Sequence, residues 1–446
     1  MNIPEYANKI INALNENGFS VFVVGGFVRD GIMGFVPGDV DIATSALPCE
    51  TEKVLENNNI KYIETGIKHG TITAVSMGEP VEITTFRTDG EYEDNRHPDT
   101  VSFVSNVEED LKRRDFTINA LAYSDKTGIV DLFGGENDIK NKLIRCVGNP
   151  DLRFKEDALR IMRALRFSSV LGFEIEEKTS QAIFNNKNLL LNVASERIFA
   201  ELCKLLTGKN VYNVLDKYKD VISVIIPELK PTFNCVQNNP WHIYNVYYHI
   251  IHAVENAPSD VELRLAMFFH DIGKPAVKTT DEKGIDHFKT HAFKSAEIAE
   301  NVLRRFHASN KLTEKVVQLV YYHQSIENVD EINVKRWISK IGAEQTKNLF
   351  LVRIADLKAH NPEKTAWESD VLYKTLASVD EIANANCAFS VKDLNVNGND
   401  LISLGFKGKE IGAALNCVLE KVLNDELEND KNQILNYLKN DYSKKF

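Results

Sequence analysis

A short apolar segment that ends at two adjacent glycines places the strongest constraint on the fold of this chain. Residues Val21 to Val24 are all apolar, which predicts a short buried strand, and Gly25 and Gly26 interrupt it because glycine tolerates positive φ angles. A backbone without Cβ atoms lets its N–H groups approach an anion, and Arg29 can pair with that anion. The segment therefore predicts a strand and turn that bind a phosphate group.

Two aspartates, Asp39 and Asp41, follow this turn. Alternate residues of a strand share one face, so a strand through this segment places both carboxylates side by side. Adjacent carboxylates repel each other unless a cation lies between them, and Mg²⁺ with substrate phosphates is the usual occupant. The glycine turn and the aspartate pair together favour a nucleotidyl-transfer site. Glu82, on a later predicted strand, is either a third carboxylate of this site or a solvated residue.

The composition limits the kind of protein to expect. The chain has 446 residues, of which 43% are apolar and 26% charged, as in ordinary globular proteins of several domains. No apolar run approaches the roughly 18 residues of a membrane span, and the first residues lack a signal-peptide pattern. Six scattered cysteines without a Cys-x-x-Cys pair predict a cytoplasmic protein. The net charge of −11 disfavours indiscriminate nucleic-acid binding, so such a partner needs a local basic surface.

The order of predicted elements indicates an α+β fold. Apolar strands alternate with helical stretches up to about residue 145, and the rest of the chain is mostly helical. The candidate strands are Phe22–Val24, Asp39–Ala43, Thr71–Ser76, Val81–Phe86 and Val101–Val104. We expect a small mixed-sheet head at residues 1–145, a helical neck at 146–210, a helical body at 211–370 and a tail at 371–446.

A charged stripe within residues 153–167 is the strongest single functional signal. Its four charged members recur every three residues, which predicts one helix with a slowly winding stripe; they are Asp157, Arg160, Arg163 and Arg166. A guanidinium can donate two hydrogen bonds to the edge of a base, and an aspartate can accept one from an exocyclic amine. The stripe therefore predicts protein side chains that select both C and A without a nucleic-acid template. A solvated basic helix is the alternative.

Three motifs together resemble the bacterial-type (class II) tRNA nucleotidyltransferase and poly(A) polymerase family. They are Gly25-Gly26-x-Val28-Arg29-Asp30 with Asp39-x-Asp41, then Arg113-Arg114-Asp115-x-x-x-Asn119-Ala120, and Glu156-Asp157-x-x-Arg160. The resemblance implies that Asp39 and Asp41 hold Mg²⁺, and that Gly25, Gly26 and Arg29 hold the triphosphate. It also implies that Arg114 contacts the sugar and phosphate, and that Asp157 and Arg160 read the base with support from Arg163 and Arg166.

Five further segments carry expectations. We expect a helix through Arg113–Leu121 and a functional loop at residues 86–98, in which Asp94 and Arg96 are the polar contacts. The paired glycines after Asp131 resemble the hinge of the family. A helix capped at Ser195 is expected to hold the charged helix, and the glycine- and lysine-rich tail at 397–412 resembles a tRNA-contacting module.

A second group of residues, after about residue 240, resembles the HD superfamily of metal-dependent phosphohydrolases. The implied ligand set is His249, His270, Asp271 and Asp356, and His291 and His323 are candidates for a second metal ion. Imidazole and carboxylate ligands suit Mn, Fe, Ni or Zn, and the identity of the metal stays open. The other histidines of this region are assigned no role; they are His242, His252, His287, His307 and His360.

The resemblance as a whole implies an enzyme that adds C, C and A to the 3′ end of tRNA from CTP and ATP, with release of pyrophosphate. An enzyme that adds only A, or a poly(A) polymerase, stays open because the loop at 86–98 is compatible with all three. A rival from another class is a phosphohydrolase centred on His270 and Asp271, with the head as a nucleotide sensor. A tRNA-binding protein without catalysis is disfavoured because both carboxylate sites look complete.

Overall fold

The computed structural model describes residues 1–90, 101–326, 329–385 and 387–442. Asp94 and Arg96 of the predicted loop lie outside these residues. The contacts between Cα atoms divide the chain into two compact units, Met1–Pro227 and Glu228–Phe446. The finer division into head, neck, body and tail stays a prediction.

The first unit begins with strands and short helices and ends with a part that is helical except for one two-residue strand. Up to residue 144 its elements are α1 (Glu5–Glu16), β1 (Val21–Val24), α2 (Gly26–Ile32), β2 (Asp41–Thr44), α3 (Pro48–Asn57), β3 (Lys61–Gly66), β4 (Thr71–Ser76), β5 (Glu79–Thr85), β6 (Arg87–Asp89), β7 (Val101–Phe103), α4 (Val107–Lys112), β8 (Leu121–Ser124), β9 (Gly128–Asp131), α5 (Gly135–Lys140) and β10 (Leu143–Ile144). The helical part then contains α6 (Pro150–Glu156), α7 (Leu159–Leu171), β11 (Glu174–Ile175), α8 (Glu177–Asn186), α9 (Ser195–Leu206), α10 (Val211–Lys217) and α11 (Lys219–Ile225).

Seven of these strands form one mixed sheet in the order β3-β4-β5-β2-β1-β8-β9. β2 and β5 are parallel, whereas the other pairings are antiparallel. Val81 and Ile83 of β5 are buried and Glu82 between them is exposed, as expected for a strand with one face on the core. α1 packs Ile10 and Leu14 into the same core. The predicted α+β fold with a mixed-sheet head is confirmed.

The structure corrects two predicted helices of the first unit. The segment Arg113–Leu121 contains only a single 3₁₀ turn at Thr117–Asn119 before β8 begins. The segment 153–167 is divided between α6 and α7, and Asp157 between them has extended backbone angles of φ −133° and ψ 104°. In both segments an aspartate side chain accepts a hydrogen bond from a nearby backbone N–H, from Phe116 to Asp115 and from Leu159 to Asp157.

Two smaller predictions of the first unit also need correction. Part of the loop predicted at 86–98 is a strand, since β6 pairs with β7 in an antiparallel ladder. Ser195 does not cap α9, because the residue before the helix is Ala194, which has no capping side chain. Gly135, in the predicted hinge, packs tightly, since a Cβ there would lie 2.3 Å from the carbonyl oxygen of Thr117.

The second unit consists almost entirely of helices. Its elements are α12 (Val246–Asn256), α13 (Val261–Phe269), α14 (Lys274–Val277), β12 (Thr279–Thr280), β13 (Asp286–His287), α15 (His291–Arg305), α16 (Asn310–Tyr322), α17 (Glu331–Ile341), α18 (Ala343–Lys358), α19 (Pro362–Asn384), α20 (Gly398–Ser403), α21 (Lys409–Leu423) and α22 (Lys431–Tyr437). Among the described residues, no helix combines the length and the apolar character that crossing a membrane requires.

The packing of the second unit brings five helices around one polar centre. α13 packs against α12, α15, α16 and α18, and α12 also packs against α18. α13 carries apolar residues on all sides, including Leu265, Met267 and Phe268, which are fully buried. It ends immediately before His270 and Asp271, so these two residues lie in the interior of the unit.

Candidate functional site

Two further carboxylates lie close to that of Asp41 at the start of β2, namely those of Asp39 and of Glu82 in the middle of β5. Asp41 is the first residue of β2 and pairs directly with Glu82 of β5 in the parallel ladder. Asp39 lies on the bend before β2, so the prediction that it belongs to the strand is wrong. The side chain of Asp41 is open to solvent on one side but partly desolvated by the surrounding protein. This desolvation, together with the charges of Glu82 and Asp39, raises the pKa of Asp41 to about 6. This repulsion is what a bound cation would relieve.

The glycine turn begins α2 next to this edge of the sheet. Gly25 has a φ of +70°, and a Cβ there would lie 3.2 Å from Nη1 of Arg114, so the position favours glycine twice. Arg29 is buried within α2, where its Nη1 donates to Oδ1 of Asn119 at 2.7 Å and its Nε donates to Oδ1 of Asp30 at 2.8 Å. The arginine predicted to bind phosphate is therefore already fixed by protein partners.

Asp115 connects the turn to the charged helix α7. Its Oδ2 accepts a hydrogen bond from Nε of Arg163 at 2.8 Å and lies 2.6 Å from Nη2 of the same guanidinium. Its Oδ1 accepts a hydrogen bond from Nδ2 of Asn119 at 3.2 Å. Burial alone would raise the pKa of Asp115, but the Arg163 guanidinium lowers it to about 2. A continuous chain of hydrogen bonds thus runs from Arg29 through Asn119 and Asp115 to Arg163.

The residues predicted to read the base lie where α6 ends and α7 begins. Oδ1 of Asp157 accepts from the N–H of Leu159 at 3.0 Å, which explains the break between the helices, and its Oδ2 lies 3.2 Å from Nη2 of Arg197 on α9. Arg160 donates to Oε2 of Glu156 at 2.6 Å and to the carbonyl oxygen of Arg113 at 3.0 Å. Both side chains are held in place by neighbouring groups before any nucleotide is bound.

Phe167 is a site residue that the sequence reasoning missed. Three guanidinium groups lie over its ring, with Cζ at 5.3 Å for Arg29, 5.5 Å for Arg163 and 3.8 Å for Arg166. Nε of Arg166 is also 2.7 Å from Oε2 of Glu201 on α9. Cation–π attraction keeps three like charges together at this point. The signal available in the sequence was an aromatic residue directly after the last arginine of the stripe.

A cavity of about 430 Å³ in the first unit brings these groups together. Its polar lining comes from all three predicted motifs, and it also contains Phe167. The lining residues are Gly25, Gly26, Arg29, Asp41, Arg113, Arg114, Asp115, Asn119, Asp157, Arg160, Arg163, Arg166 and Phe167. Asp41 and the pair Asp157 and Arg160 therefore face one space, whereas Asp39 does not line it.

The second unit contains a fully buried cluster of the predicted HD ligands. Nε2 of His249 lies 3.0 Å from Oδ1 of Asp356, 3.1 Å from Nε2 of His270 and 3.2 Å from Oδ2 of Asp271. Nε2 of His270 lies 3.3 Å from Oδ2 of Asp271 and 3.5 Å from Oδ1 of Asp356. Ligands at about 2.1 Å from one ion are separated by about 3.0 to 3.4 Å, so the four atoms have the spacing of a metal site.

His291 and His323 lie on the other side of Asp271. Nε2 of His291 is 3.2 Å from Oδ1 of Asp271 and 3.3 Å from Nε2 of His323, which is itself 3.9 Å from the same oxygen. Asp271 therefore has one oxygen directed to each pair of histidines. This arrangement fits two metal positions that share one carboxylate.

All four of these histidines are oriented by backbone carbonyls. Nδ1 of each ring lies close to a carbonyl oxygen that can only accept a hydrogen bond, so Nδ1 carries the proton and Nε2 faces the cluster. The acceptors are Ala359 at 3.2 Å for His249, Met267 at 2.7 Å for His270, Phe288 at 2.7 Å for His291 and Val320 at 2.6 Å for His323. Burial lowers the pKa of His249 to about 4 and that of His323 to about 3, which keeps these two rings neutral.

Asp271 carries the clearest sign that a cation belongs in this cluster. Both carboxylate oxygens are buried and accept no well-aligned hydrogen bond, although Nζ of Lys274 lies 2.6 Å from Oδ2. Burial alone would lower the pKa of His270, but the negative charge of Asp271 raises it to about 10. The ring of His270 is therefore protonated, and its positive charge balances the Asp271 carboxylate in the place of a metal ion. The sequence reasoning missed Lys274, three residues after Asp271.

Three family models match consecutive parts of the chain. The model of the poly A polymerase head domain matches residues 21–145, and that of the probable RNA and SrmB-binding site of polymerase A matches residues 172–232. The model described as tRNA nucleotidyltransferase domain 2, putative, matches residues 279–438.

Curated relatives extend this likeness over the whole chain. A CCA-adding enzyme of Ligilactobacillus salivarius is 50% identical over 222 residues, so that alignment spans about half of each chain, 49% of this one and 54% of the relative. A CCA-adding enzyme of Lactobacillus helveticus is 34% identical over 437 residues, which covers 97% of this chain and 96% of the relative. The chain belongs to the CCA-adding enzyme family.

The fold agrees with a solved member of the CCA-adding enzyme family. The crystal structure of the Bacillus stearothermophilus CCA-adding enzyme in complex with CTP matches with a TM-score of 0.76 and 30% identity, and the match covers 100% of this chain and 99% of that one. The chain is accordingly a nucleotidyltransferase, as predicted. The sequence-based assignment to the tRNA nucleotidyltransferase and poly(A) polymerase family is confirmed.

Proposed function

We propose that this chain adds C, C and A to the 3′ end of tRNA, using CTP and ATP and releasing pyrophosphate. The observation that carries the proposal is the single cavity in which Asp41 and the pair Asp157 and Arg160 face the same space. The metal-side carboxylate and the base-selecting groups can then contact one nucleotide. We place the reaction in the cytoplasm, where tRNA is matured and scattered cysteines stay reduced.

The exposed carboxylates of Asp39, Asp41 and Glu82 would hold Mg²⁺, which fits the repulsion that raises the pKa of Asp41. Mg²⁺ bound there stabilises the negative charge of the triphosphate and lowers the barrier to attack by the 3′ hydroxyl. Gly25, Gly26 and Arg29 bind the triphosphate, since all three line the cavity and Arg29 is fixed in advance by Asn119.

Base selection depends on Asp157 and Arg160. An aspartate accepts a hydrogen bond from the exocyclic amine that both C and A carry, and a guanidinium donates to ring nitrogen or carbonyl acceptors on the same edge. U and G present different edges at these positions, so they are rejected. Arg163 and Arg166 support this pair through Asp115, Glu201 and the ring of Phe167, and Arg114 contacts the sugar and phosphate region.

An extension assay on three tRNA substrates tests the activity. tRNA that ends at the discriminator base, at CC or at CCA is incubated with labelled CTP or ATP. We expect CTP to extend the first, ATP to extend the second and neither to extend the third. Incorporation of ATP only on CC-ended tRNA would identify an A-adding enzyme, and repeated ATP incorporation on CCA-ended tRNA would identify a poly(A) polymerase.

A second candidate activity is metal-dependent hydrolysis of a phosphate ester in the second unit. It is supported by Asp271, whose two buried oxygens accept no well-aligned hydrogen bond, and by the four Nε2 atoms that face its two sides. His249, His270, Asp271 and Asp356 would hold one transition metal ion, and Asp271, His291 and His323 a second. Such a metal activates water. A cavity of about 720 Å³ beside the cluster, lined by Lys274, His291 and Arg353, offers space for a substrate.

Metal analysis and hydrolysis test this candidate. The metal-free protein is titrated with Mn²⁺, Ni²⁺ or Zn²⁺ and then assayed with a phosphomonoester and a phosphodiester. We expect hydrolysis that depends on the added metal and is lost in Asp271→Asn. A full rate in that variant would exclude the cluster from the chemistry, without affecting the tRNA-extension proposal.

A further inference from the structure

Arg353 connects the buried carboxylate of Asp356 to Glu368 on the next helix. It lies one turn before Asp356 on α18, so both side chains share a face of that helix. Nη1 of Arg353 donates to Oδ2 of Asp356 at 2.9 Å. Nε and Nη2 of the same guanidinium donate to Oε1 of Glu368 on α19, at 3.1 and 2.8 Å. The guanidinium is therefore held at three of its nitrogens.

Because of this contact, the two oxygens of Asp356 have different partners. Oδ1 lies 3.0 Å from Nε2 of His249 and 3.5 Å from Nε2 of His270, among the candidate ligands. Oδ2 is occupied by Arg353. The carboxyl group has only 1% of its surface exposed, so no solvent competes for either oxygen. Asp356 is thus presented to the cluster through a single oxygen.

We propose that Arg353 and Glu368 are a positioning pair that holds Asp356 with only Oδ1 directed at the metal position. The inference rests on the metal site proposed above. A carboxylate that rotates freely can bind an ion through both oxygens and take up an extra coordination position. Fixing Oδ2 prevents this and leaves that position for water or substrate. Neither Arg353 nor Glu368 was assigned a role from the sequence.

Electrostatic repulsion and positioning by Arg353 predict changes of opposite sign in metal affinity when Arg353 is removed. The positive charge of Arg353 lies close to a ligand of a dication and repels it, so its removal would tighten metal binding. Positioning predicts that removal weakens metal binding, since partners that orient a metal ligand contribute about ten- to a hundred-fold to affinity. The sign of the change in the dissociation constant therefore distinguishes the two explanations.

The test measures Co²⁺ binding to the full-length, metal-free protein by calorimetry and by the visible absorption of the bound ion. The variants are Arg353→Ala, Arg353→Lys and Glu368→Gln. The control is Arg305→Ala, which breaks a comparable two-bond pair with Glu228 at 2.7 and 3.0 Å, away from the residues that line the cavity. Circular dichroism of each metal-free variant reports its folding.

We expect binding that is about ten- to a hundred-fold weaker in Arg353→Ala and also weakened in Glu368→Gln. Both should show a changed Co²⁺ absorption, because that spectrum reports coordination number. Arg353→Lys should recover part of the affinity, and Arg305→Ala should match the unmodified protein. Unchanged or tighter binding in Arg353→Ala, with an unchanged spectrum, would overturn the positioning role and leave the metal site standing.

Two remaining results are also decisive. If Arg353→Ala does not fold, Glu368→Gln decides, because it keeps the shape of the side chain and removes only its charge; unweakened binding in that variant overturns the inference. If the unmodified protein binds no Co²⁺, Mn²⁺ or Ni²⁺, both the metal site and the positioning role are wrong. The tRNA-extension activity is independent of all these outcomes.

Discussion

The two acidic centres of this chain are built in opposite ways. Asp41 and Glu82 are exposed residues on two neighbouring strands, where partial desolvation and repulsion from Glu82 raise the pKa of Asp41. Asp271 and Asp356 are fully buried, and although burial would raise their pKa values, nearby histidines, and Lys274 beside Asp271, hold them well below the usual range. The first centre is suited to a loosely held ion that arrives with a nucleotide, and the second to a tightly held ion inside the protein.

The largest expected effect is the loss of nucleotide incorporation when Asp41, in the head, is changed. Asp41→Asn should reduce CTP and ATP incorporation by about a thousand-fold, since it removes one of the charged oxygens that stabilise the transition state through Mg²⁺. Single-turnover extension of tRNA measures this. Transition-metal binding by the same variant should be unchanged, and a parallel loss of both would contradict the independence of the two centres.

The reciprocal experiment uses Asp271→Asn. Because Asp271 has an oxygen on each side of the cluster, its loss should weaken transition-metal binding by more than about a hundred-fold. Metal content after dialysis, measured by mass spectrometry, checks this. tRNA extension should proceed at the unmodified rate. Retention of the full metal content would show that Asp271 is not a ligand.

A third prediction concerns the buried pair that connects the glycine turn to α7. Arg163→Ala leaves the charge of Asp115 buried without its main partner, which should lower the free energy of unfolding by about 3 kcal/mol. Urea denaturation measures this value. The double variant Asp115→Asn, Arg163→Ala should be more stable than Arg163→Ala alone. The exposed pair Lys112 and Glu109 is the control, and Lys112→Ala should change stability by less than about 0.5 kcal/mol.

The smallest effect is a pH dependence of the exposed centre. Mg²⁺ competes with the proton of Asp41, whose pKa is about 6, so extension at limiting Mg²⁺ should be constant above pH 7 and fall about ten-fold by pH 5. Glu82→Gln removes a charge that raises this pKa and should move the midpoint to lower pH. An unmoved midpoint would mean that another group titrates.

The local structure at both centres was predictable because the sequence pattern there is short-range. The apolar strand, the glycines and Asp41 lie within 21 consecutive residues, and the strand and turn formed as expected. His270 and Asp271 directly follow an apolar helix, as predicted. In both regions the short-range pattern and the tertiary environment favour the same backbone, so the strand, the turn and the end of the apolar helix were predicted correctly.

The errors arose where a distant partner determines the backbone. A three-residue repeat predicted one helix through Asp157, but its side chain accepts the N–H of Leu159 and pairs with Arg197, 40 residues later. Asp115 likewise accepts a hydrogen bond from the next residue while it pairs with Arg163. Spacing within one segment contains no information about partners on other helices, such as Arg197 for Asp157 and Glu368 for Arg353.

The pairing of Asp41 with Glu82 ties the chemistry of the head to correct folding. In β5, Glu82 lies between two buried aliphatic residues, so sliding this strand by a single position would bury a charge, expose an isoleucine and move the acid away from its partner. A chain with that mistake would be inactive and also unstable. Quality-control proteases that recognise unstable chains would therefore remove the defective catalysts together with the misfolded ones.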